Sequence, residues 1–230
     1  MSDLGKLTYY LGIVVHQYGE GIVLKQERYA QKILEETGMS MSNPTHIPMD
    51  RNVKLSKFPE EKSINEREYR RSIGCLRYLL HTRPDLSFSV RVLSRYMQEP
   101  KESHGVALQQ VLRYLRGTTA LGLVFTRTKK HELMGFSDSS RNVDNDDGKS
   151  TTGHVFYLDQ SLISWSSQKH EIVALSSCEA GFMAATEAAK QAIWLQDLLG
   201  EVVGKSSKEV TIHVDNKSAI ALTKNPVFHG

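Results

Sequence analysis

The sequence predicts a mixed α/β protein, α+β overall, in which a β-hairpin and a small helical bundle precede a mixed sheet with packed helices. Three patterns support this fold class. Near the start, two β-rich runs flank a glycine-containing turn, and residues 66–117 then hold three amphipathic helical patterns in quick succession. From residue 121 onward the predicted order becomes strand, strand, strand, helix, strand, helix.

Size and composition fit a globular protein that acts inside the cell. The 230 residues are 40% hydrophobic and 24% charged, and no apolar run reaches the roughly 18 residues that cross a bilayer. The first residues lack the basic start and apolar middle of a signal peptide, so we expect no secretion. Cys75 and Cys178 lie too far apart for a CxxC metal motif, and we expect buried, reduced thiols of an intracellular protein and not a disulfide.

Charge is distributed unevenly along the chain. Up to Gly135 there are 21 Lys and Arg against 14 Asp and Glu, whereas 8 Lys and Arg stand against 12 Asp and Glu after it. A basic half beside an acidic half suits a platform for a polyanion joined to a cation-binding site. Ordinary surface variation explains the counts equally well.

The first half of the chain begins with a predicted hairpin, a helix and a linker. Residues 8–24 are typical of a hairpin, and a helix over about 27–37 should end at Gly38. The proline-containing residues 39–64 predict a linker.

Three predicted helices follow: one over 66–81 with Asn65 as its N-cap, one with Pro84 in its first turn, and one ending at Gly117. Their arginines could bind phosphates or could form the solvated outer faces of a bundle. These arginines are Arg70, Arg71, Arg77, Arg91, Arg95, Arg113 and Arg116.

The second half is predicted as an ordered series of strands and helices. Its elements are strands at 122–126 and 133–137, a hairpin over 152–166, a long helix over 176–199, a strand at 210–214 and a short helix at 217–223. A polar loop occupies 140–150.

Three carboxylates lie where these ordered elements begin or end. Asp138 and Asp215 each follow a predicted strand, and Glu179 lies in the first turn of the long helix. Three converging carboxylates are a ligand set for divalent metals in phosphodiester chemistry. The pattern therefore predicts a catalytic metal site at Asp138, Glu179 and Asp215.

Each acid also has a local explanation of its own. Asp138 and Asp215 are typical of turns or caps, and Ser176 with Glu179 has the spacing of a capping box. Their occurrence together in one ordered series favours the metal site. Other candidates are weaker, because the aspartates at 144, 146 and 147 lack the glutamate of a calcium loop and predict a solvated loop. No histidine spacing suits zinc.

Short motifs around these acids form a recognisable set. They are GFSD at 135–138, KSTTG at 149–153, SWSSQK at 164–169, VALSSCEA at 173–180, WL at 194–195, VDNKSA at 214–219 and NPVFH at 225–229. Together they resemble the ribonuclease H domain of copia-type LTR retrotransposon Pol polyproteins. Upstream, DLG at 3–5, YLGI at 10–13, YL at 78–79 and TRPDL at 82–86 are similar to the reverse transcriptase of the same polyproteins, just after its polymerase site.

This resemblance implies two domains and a site. Residues 1–120 would form the hairpin at the end of the palm, the thumb and a connection-like region, and residues 121–230 a ribonuclease H-like domain truncated at its C-terminus. Asp138, Glu179 and Asp215 match the first three metal-binding acids of the family, which uses two Mg²⁺ ions, with Mn²⁺ as an alternative.

The resemblance also implies partners and a place in the cell. The expected substrate is the RNA strand of an RNA–DNA hybrid, with the upstream polymerase part of the polyprotein as a further partner and no membrane. The expected location is the cytoplasm, in a virus-like particle, or the nucleus.

Departures from the family pattern predict impaired cleavage. The family has a fourth acid shortly after the segment matching 225–229, whereas this chain stops at Gly230, and the polymerase's own aspartates would lie before Met1. The family usually has an acid followed by an aromatic where Ser140 and Arg141 stand, and a further glutamate where Gly181 stands. The alternative function is therefore a non-catalytic, nucleic-acid-binding relic of the polyprotein.

Overall fold

The computed structural model describes residues 5–50, 53–57, 60–128, 130–140, 144–204 and 209–224. It confirms the mixed α/β class, with two four-stranded sheets and packed helices. The chain forms two compact units, Met1–Arg127 and Thr128–Gly230. None of the helices in the described ranges combines the length and the apolar character needed to span a bilayer.

The first unit contains an antiparallel sheet. In spatial order its strands are β1 (Tyr9–Tyr10), β2 (Ile13–Tyr18), β3 (Gly21–Lys25) and β4 (Gly122–Thr126). Tyr18 pairs with Gly21 across the turn, which confirms the predicted hairpin.

The strand β4 corrects the predicted grouping of the strands. We expected it to open the second domain, but it pairs with the outer edge of β3, from Gly122 opposite Lys25 to Thr126 opposite Gly21. This pairing satisfies backbone groups that β3 would otherwise leave free. The first unit consequently ends at Arg127, seven residues beyond the boundary expected after residue 120.

Four helices complete the first unit. They are α1 (Glu27–Glu36), α2 (Glu66–Leu79), α3 (Ser87–Leu93) and α4 (Glu102–Gly117). The second predicted helix is shorter than expected, because 3-10 turns at Pro84–Leu86 and Ser94–Tyr96 flank α3. Side chains from the predicted apolar stripes form the core, and Ile73, Val90 and Leu115 are fully buried.

Local sequence signals set where these helices begin and end. The side chain of Asn65 accepts the backbone N–H groups of Arg67 and Glu68, which confirms it as the N-cap of α2. Gly38 follows α1 with a φ of +69°, a left-handed conformation that glycine adopts without strain.

The described part of segment 39–64 corrects the linker prediction, because it packs against α4. Arg113 Nε donates to the carbonyl of Asn43 at 2.7 Å, and Arg116 Nε donates to the carbonyl of Ser40 at 2.6 Å. Met49 from this segment is buried in the core. The segment therefore belongs to the folded unit although its described residues form no helix or regular strand.

Arg83, within the TRPDL motif, is a buried clamp of the first unit. Only 2% of its side chain is exposed. Its guanidinium donates to the carboxylate of Asp85 at 2.7 and 2.9 Å, and to the carbonyl and hydroxyl of Thr118 at 2.8 and 2.7 Å. It also lies over the ring of Tyr114. One side chain thus connects the segment after α2 to the end of α4.

The second unit contains a mixed sheet. Its strands are, in spatial order, β7 (Ser161–Lys169), β6 (Thr151–Leu158), β5 (Leu133–Ser140) and β8 (Thr211–Val214). β6 is antiparallel to both of its neighbours, β7 and β5, whereas β5 and β8 run parallel. The carboxyl ends of β5 and β8 therefore lie at the same edge of the sheet.

Two helices accompany this sheet, α5 (Ser177–Val203) and α6 (Lys217–Lys224). The face of α5 that packs on the sheet is built of small residues, among them Ala184, Ala188 and Ala192, which are at most 4% exposed. Leu133 and Phe156 from the sheet complete this core. Small side chains let the helix approach closely, so its N-terminal turn lies near the strand ends.

Candidate active site

Asp138 and Asp215 line one cavity of about 290 Å³ in the second unit. Asp138 lies near the end of β5 and Asp215 directly follows β8. Because these strands are parallel neighbours, both exposed carboxylates reach the same edge of the sheet. The structure brings together two of the three predicted acids, and their role as metal ligands stays a prediction.

Glu179 is engaged elsewhere. Its Oε2 accepts the backbone N–H of Leu175 at 2.7 Å, while the hydroxyl of Ser176 accepts the N–H of Glu179 at 3.0 Å. These two bonds form a cap on the N-terminus of α5, close to the capping box that the local spacing indicates. Glu179 does not line the cavity that holds Asp138 and Asp215.

The two aspartates that line this cavity carry the oxygen ligands that a magnesium ion requires. Mg²⁺ takes oxygen ligands and is often held by only one or two carboxylates together with waters and substrate phosphates. Asp138 and Asp215 supply such a pair. A three-carboxylate centre is not formed, since no three His, Cys, Asp or Glu side chains among the described residues are grouped to hold a metal ion.

Sequence reasoning missed several residues of the cavity, and the most informative is Asn216. Ser137, Ser139, Ser177 and Gly181 also line it. The side chain of Asn216 accepts the N–H of Ala219 and donates to the carbonyl of Ser177, both at 3.0 Å. An asparagine before a short helix is a recognisable N-cap signal, whereas its bond to a residue 39 positions away is not visible in the sequence.

The loop after β5 is exposed at Asp146 and Asp147, as predicted, but not at Asp144. Asp144 is only 4% exposed, and Lys169 from the end of β7 contacts it at 2.5 Å and Asp147 at 2.8 Å. Burial opposes the charge of Lys169, but its hydrogen bonds to both aspartates outweigh this effect and raise its pKa. Asp144 thus forms an ion pair with Lys169 that anchors the loop to the sheet.

The seven arginines predicted to bind phosphates or to form solvated faces divide into two groups, and Arg95 belongs to the first, because it too has an interaction partner. Arg70, Arg71, Arg113 and Arg116 bond to carboxylates or backbone carbonyls of the same unit. Arg77 and Arg91 are exposed and make no side-chain bond to another described residue. Most of these arginines therefore have a structural partner, and two remain available to a phosphate.

The two cysteines and several residues of the recognised motifs remain to be placed. Cys75 and Cys178 are both free thiols and half-buried, not fully buried. The motifs at 225–229 and 3–4, and Arg141, lie outside the described residues.

Comparison with known proteins places the chain in a family. Residues 1–51 match the family model described as reverse transcriptase (RNA-dependent DNA polymerase). Over 229 residues and 100% of its length, the chain is 37% identical to the retrovirus-related Pol polyprotein from transposon RE1 of Arabidopsis thaliana, covering 16% of that protein. It is 39% identical over 97% of its length to the polyprotein from transposon RE2 of the same plant, covering 15% of it.

A tobacco relative gives a similar result. The chain is 37% identical over 100% of its length to the Pol polyprotein from transposon TNT 1-94 of Nicotiana tabacum, covering 18% of it. No solved structure matches. The chain spans about a sixth of the length of these relatives. Similarity that runs through the whole chain, from the hairpin to the cavity residues, shows that the chain belongs to the family of copia-type, retrovirus-related Pol polyproteins of transposons.

Proposed function

We propose that the second unit hydrolyses the RNA strand of RNA–DNA hybrids in the manner of a ribonuclease H. The observation that carries this proposal is the shared cavity of Asp138 and Asp215 at the carboxyl ends of two parallel strands. Membership of the Pol polyprotein family supports a reaction on nucleic acid.

In this proposal Asp138 and Asp215 hold Mg²⁺, or Mn²⁺ in its place, by their carboxylate oxygens. When bound, such ions activate a water for in-line attack and stabilise the leaving oxygen. Glu179, whose Oε2 accepts the N–H of Leu175, would join them only if its side chain turned toward the cavity, which it does not line. The hydroxyls of Ser137, Ser139 and Ser177 around the cavity provide polar contacts for a phosphate oxygen or an ordered water.

The first unit contributes binding of the hybrid. Arg77 and Arg91 are exposed arginines whose side chains bond to no described residue, and they would neutralise backbone phosphates. Replacing both by alanine should weaken hybrid binding and reduce the slope of log affinity against log salt by about two. The upstream polymerase part of the polyprotein would deliver the hybrid, and the reaction would take place in the cytoplasm or the nucleus.

A second candidate is a non-catalytic protein that binds nucleic acid. The capping role of Glu179 favours it, because that contact holds its carboxylate outside the cavity and leaves only two acids there. On this alternative the cavity keeps its shape but lacks the charge that a pair of catalytic ions requires.

Cleavage of a labelled RNA–DNA hybrid in Mg²⁺ distinguishes the two candidates. We expect slow cleavage by the whole chain, loss of cleavage in Asp138→Asn, and no change in Asp197→Asn, which alters an exposed aspartate on α5. Salt-sensitive binding of the hybrid without any cleavage would reject the enzyme. Cleavage that persists unchanged in Asp138→Asn would remove this cavity from the proposal.

A further inference from the structure

We propose that Asn216 is a positioning residue that holds Asp215 and the first turn of α5 in fixed places across the cavity. The inference rests on the proposed function of Asp138 and Asp215. It gives Asn216 no part in the chemistry itself.

Both ends of the Asn216 side-chain amide are used. Its Oδ1 accepts the N–H of Ala219 at 3.0 Å, which caps α6, and its Nδ2 donates to the carbonyl of Ser177 at 3.0 Å. Ser177 begins α5 and lines the same cavity as the two aspartates. One half-buried side chain therefore connects the end of β8, the start of α6 and the start of α5.

Asp215 depends on this connection. It is exposed, and within the described part of the chain its carboxylate bonds to no other residue. Its location is consequently set by its backbone, and Asn216 is the adjacent residue whose side chain fixes that backbone to α5. Asp138 differs, because its carboxylate accepts the N–H of Ser139 at 2.6 Å.

Gly181 provides the space for this arrangement. A Cβ atom at Gly181 would lie 3.3 Å from the Cβ atoms of Asn216 and Ala219, and 3.4 Å from Nδ2 of Asn216. Ala219 is itself only 1% exposed. A larger side chain at residue 181 would therefore press on Asn216 and Ala219 and disturb the bond to Ser177.

Asn216→Ser separates the two roles of this side chain. A serine hydroxyl can cap α6 as Ser176 caps α5, but it is too short to reach Ser177 and retain the bridge. Asn216→Ala removes both interactions. The matched control is Asn65→Ser, the same substitution at the N-cap of α2 in the first unit.

Three measurements on the whole chain test the inference: Mn²⁺ affinity by titration calorimetry, cleavage of the RNA–DNA hybrid, and hydrogen exchange in the first turn of α5. In Asn216→Ser we expect faster exchange in this turn, and Mn²⁺ affinity and cleavage lowered about ten- to a hundredfold, as for other residues that orient metal ligands. The melting temperature of the second unit should stay near that of the unaltered chain. Asn65→Ser should leave all three measurements unchanged.

The outcomes separate this inference from the proposed function. Unchanged exchange in the first turn of α5 in Asn216→Ser would overturn the bridge, whatever the metal result. Faster exchange with unchanged Mn²⁺ affinity and cleavage would overturn the positioning role. If the unaltered chain neither binds Mn²⁺ nor cleaves the hybrid, the proposed function and the positioning role both fail, and the exchange result still decides whether the bridge exists.

Discussion

Replacing the buried arginine of the first unit by alanine should strongly destabilise that unit alone. In Arg83→Ala, the carboxylate of Asp85 and the carbonyl and hydroxyl of Thr118 lose bonds of 2.7 to 2.9 Å. Removing one partner of a buried ion pair typically costs about 3–5 kcal/mol. The side chain of Asp85 is 32% exposed and regains some hydration, so we expect the lower end, about 3 kcal/mol.

This loss is measured by urea titration, in which hydrogen exchange monitors the unfolding of the first unit and tryptophan fluorescence that of the second. With a urea dependence of about 2 kcal/mol per molar for a unit of this size, the midpoint for the first unit should fall by about 1.5 M. Both tryptophans, Trp165 and Trp194, belong to the second unit, so the fluorescence midpoint should stay unchanged.

The matched control is Arg71→Ala. Arg71 pairs with Glu36 at 2.9 Å but its side chain is 68% exposed, and exposed pairs contribute at most about 1 kcal/mol. A shift in Arg83→Ala no larger than in Arg71→Ala would refute the clamp. A simultaneous shift of the fluorescence midpoint would show that the effect is not confined to the first unit.

Two further predictions concern the second unit. Burial lowers the pKa values of His154 and His170 in the folded chain. As the pH falls, these histidines therefore take up protons in the unfolded chain first, near the ordinary histidine pKa of about 6.5. The fluorescence midpoint in urea should therefore be lower at pH 5.5 than at pH 7.5, and an equally steep fall in His154→Gln/His170→Gln would assign it to other groups. Gly135→Ala should cost about 1–3 kcal/mol, because its Cβ would lie 2.5 Å from the fully buried ring of Phe156. Gly153→Ala in the neighbouring strand, where the nearest atom is 3.5 Å away, should be tolerated in the same titration, and equal costs for the two substitutions would contradict the clash.

Most of the secondary structure could be predicted because its signals are local. The helix caps at Asn65 and Ser176, and the glycine that ends α1, act within a few residues of themselves. The apolar run of β5 likewise predicted that Asp138 lies where a strand ends. Such features depend on backbone geometry and side-chain period, which neighbouring residues determine.

Interactions between distant residues could not be predicted in this way. No local pattern shows that β4 pairs with β3 of the first unit. The two arginines that hold segment 39–64 have the same sequence appearance as Arg77 and Arg91, which remain exposed. Whether such an arginine finds a partner depends on how the elements pack together, and the periodicity of the sequence does not show this packing.

The candidate site depends on both kinds of information. By itself the sequence determined that three acids lie at the ends of ordered elements, and its motifs carried the resemblance to the Pol polyprotein family. Only the tertiary structure decided that Asp138 and Asp215 share a cavity while Glu179 caps α5. The physical reason is that a glutamate in the first turn of a helix can bond to nearby backbone N–H groups or extend outward, and its spacing in the sequence is the same in both conformations.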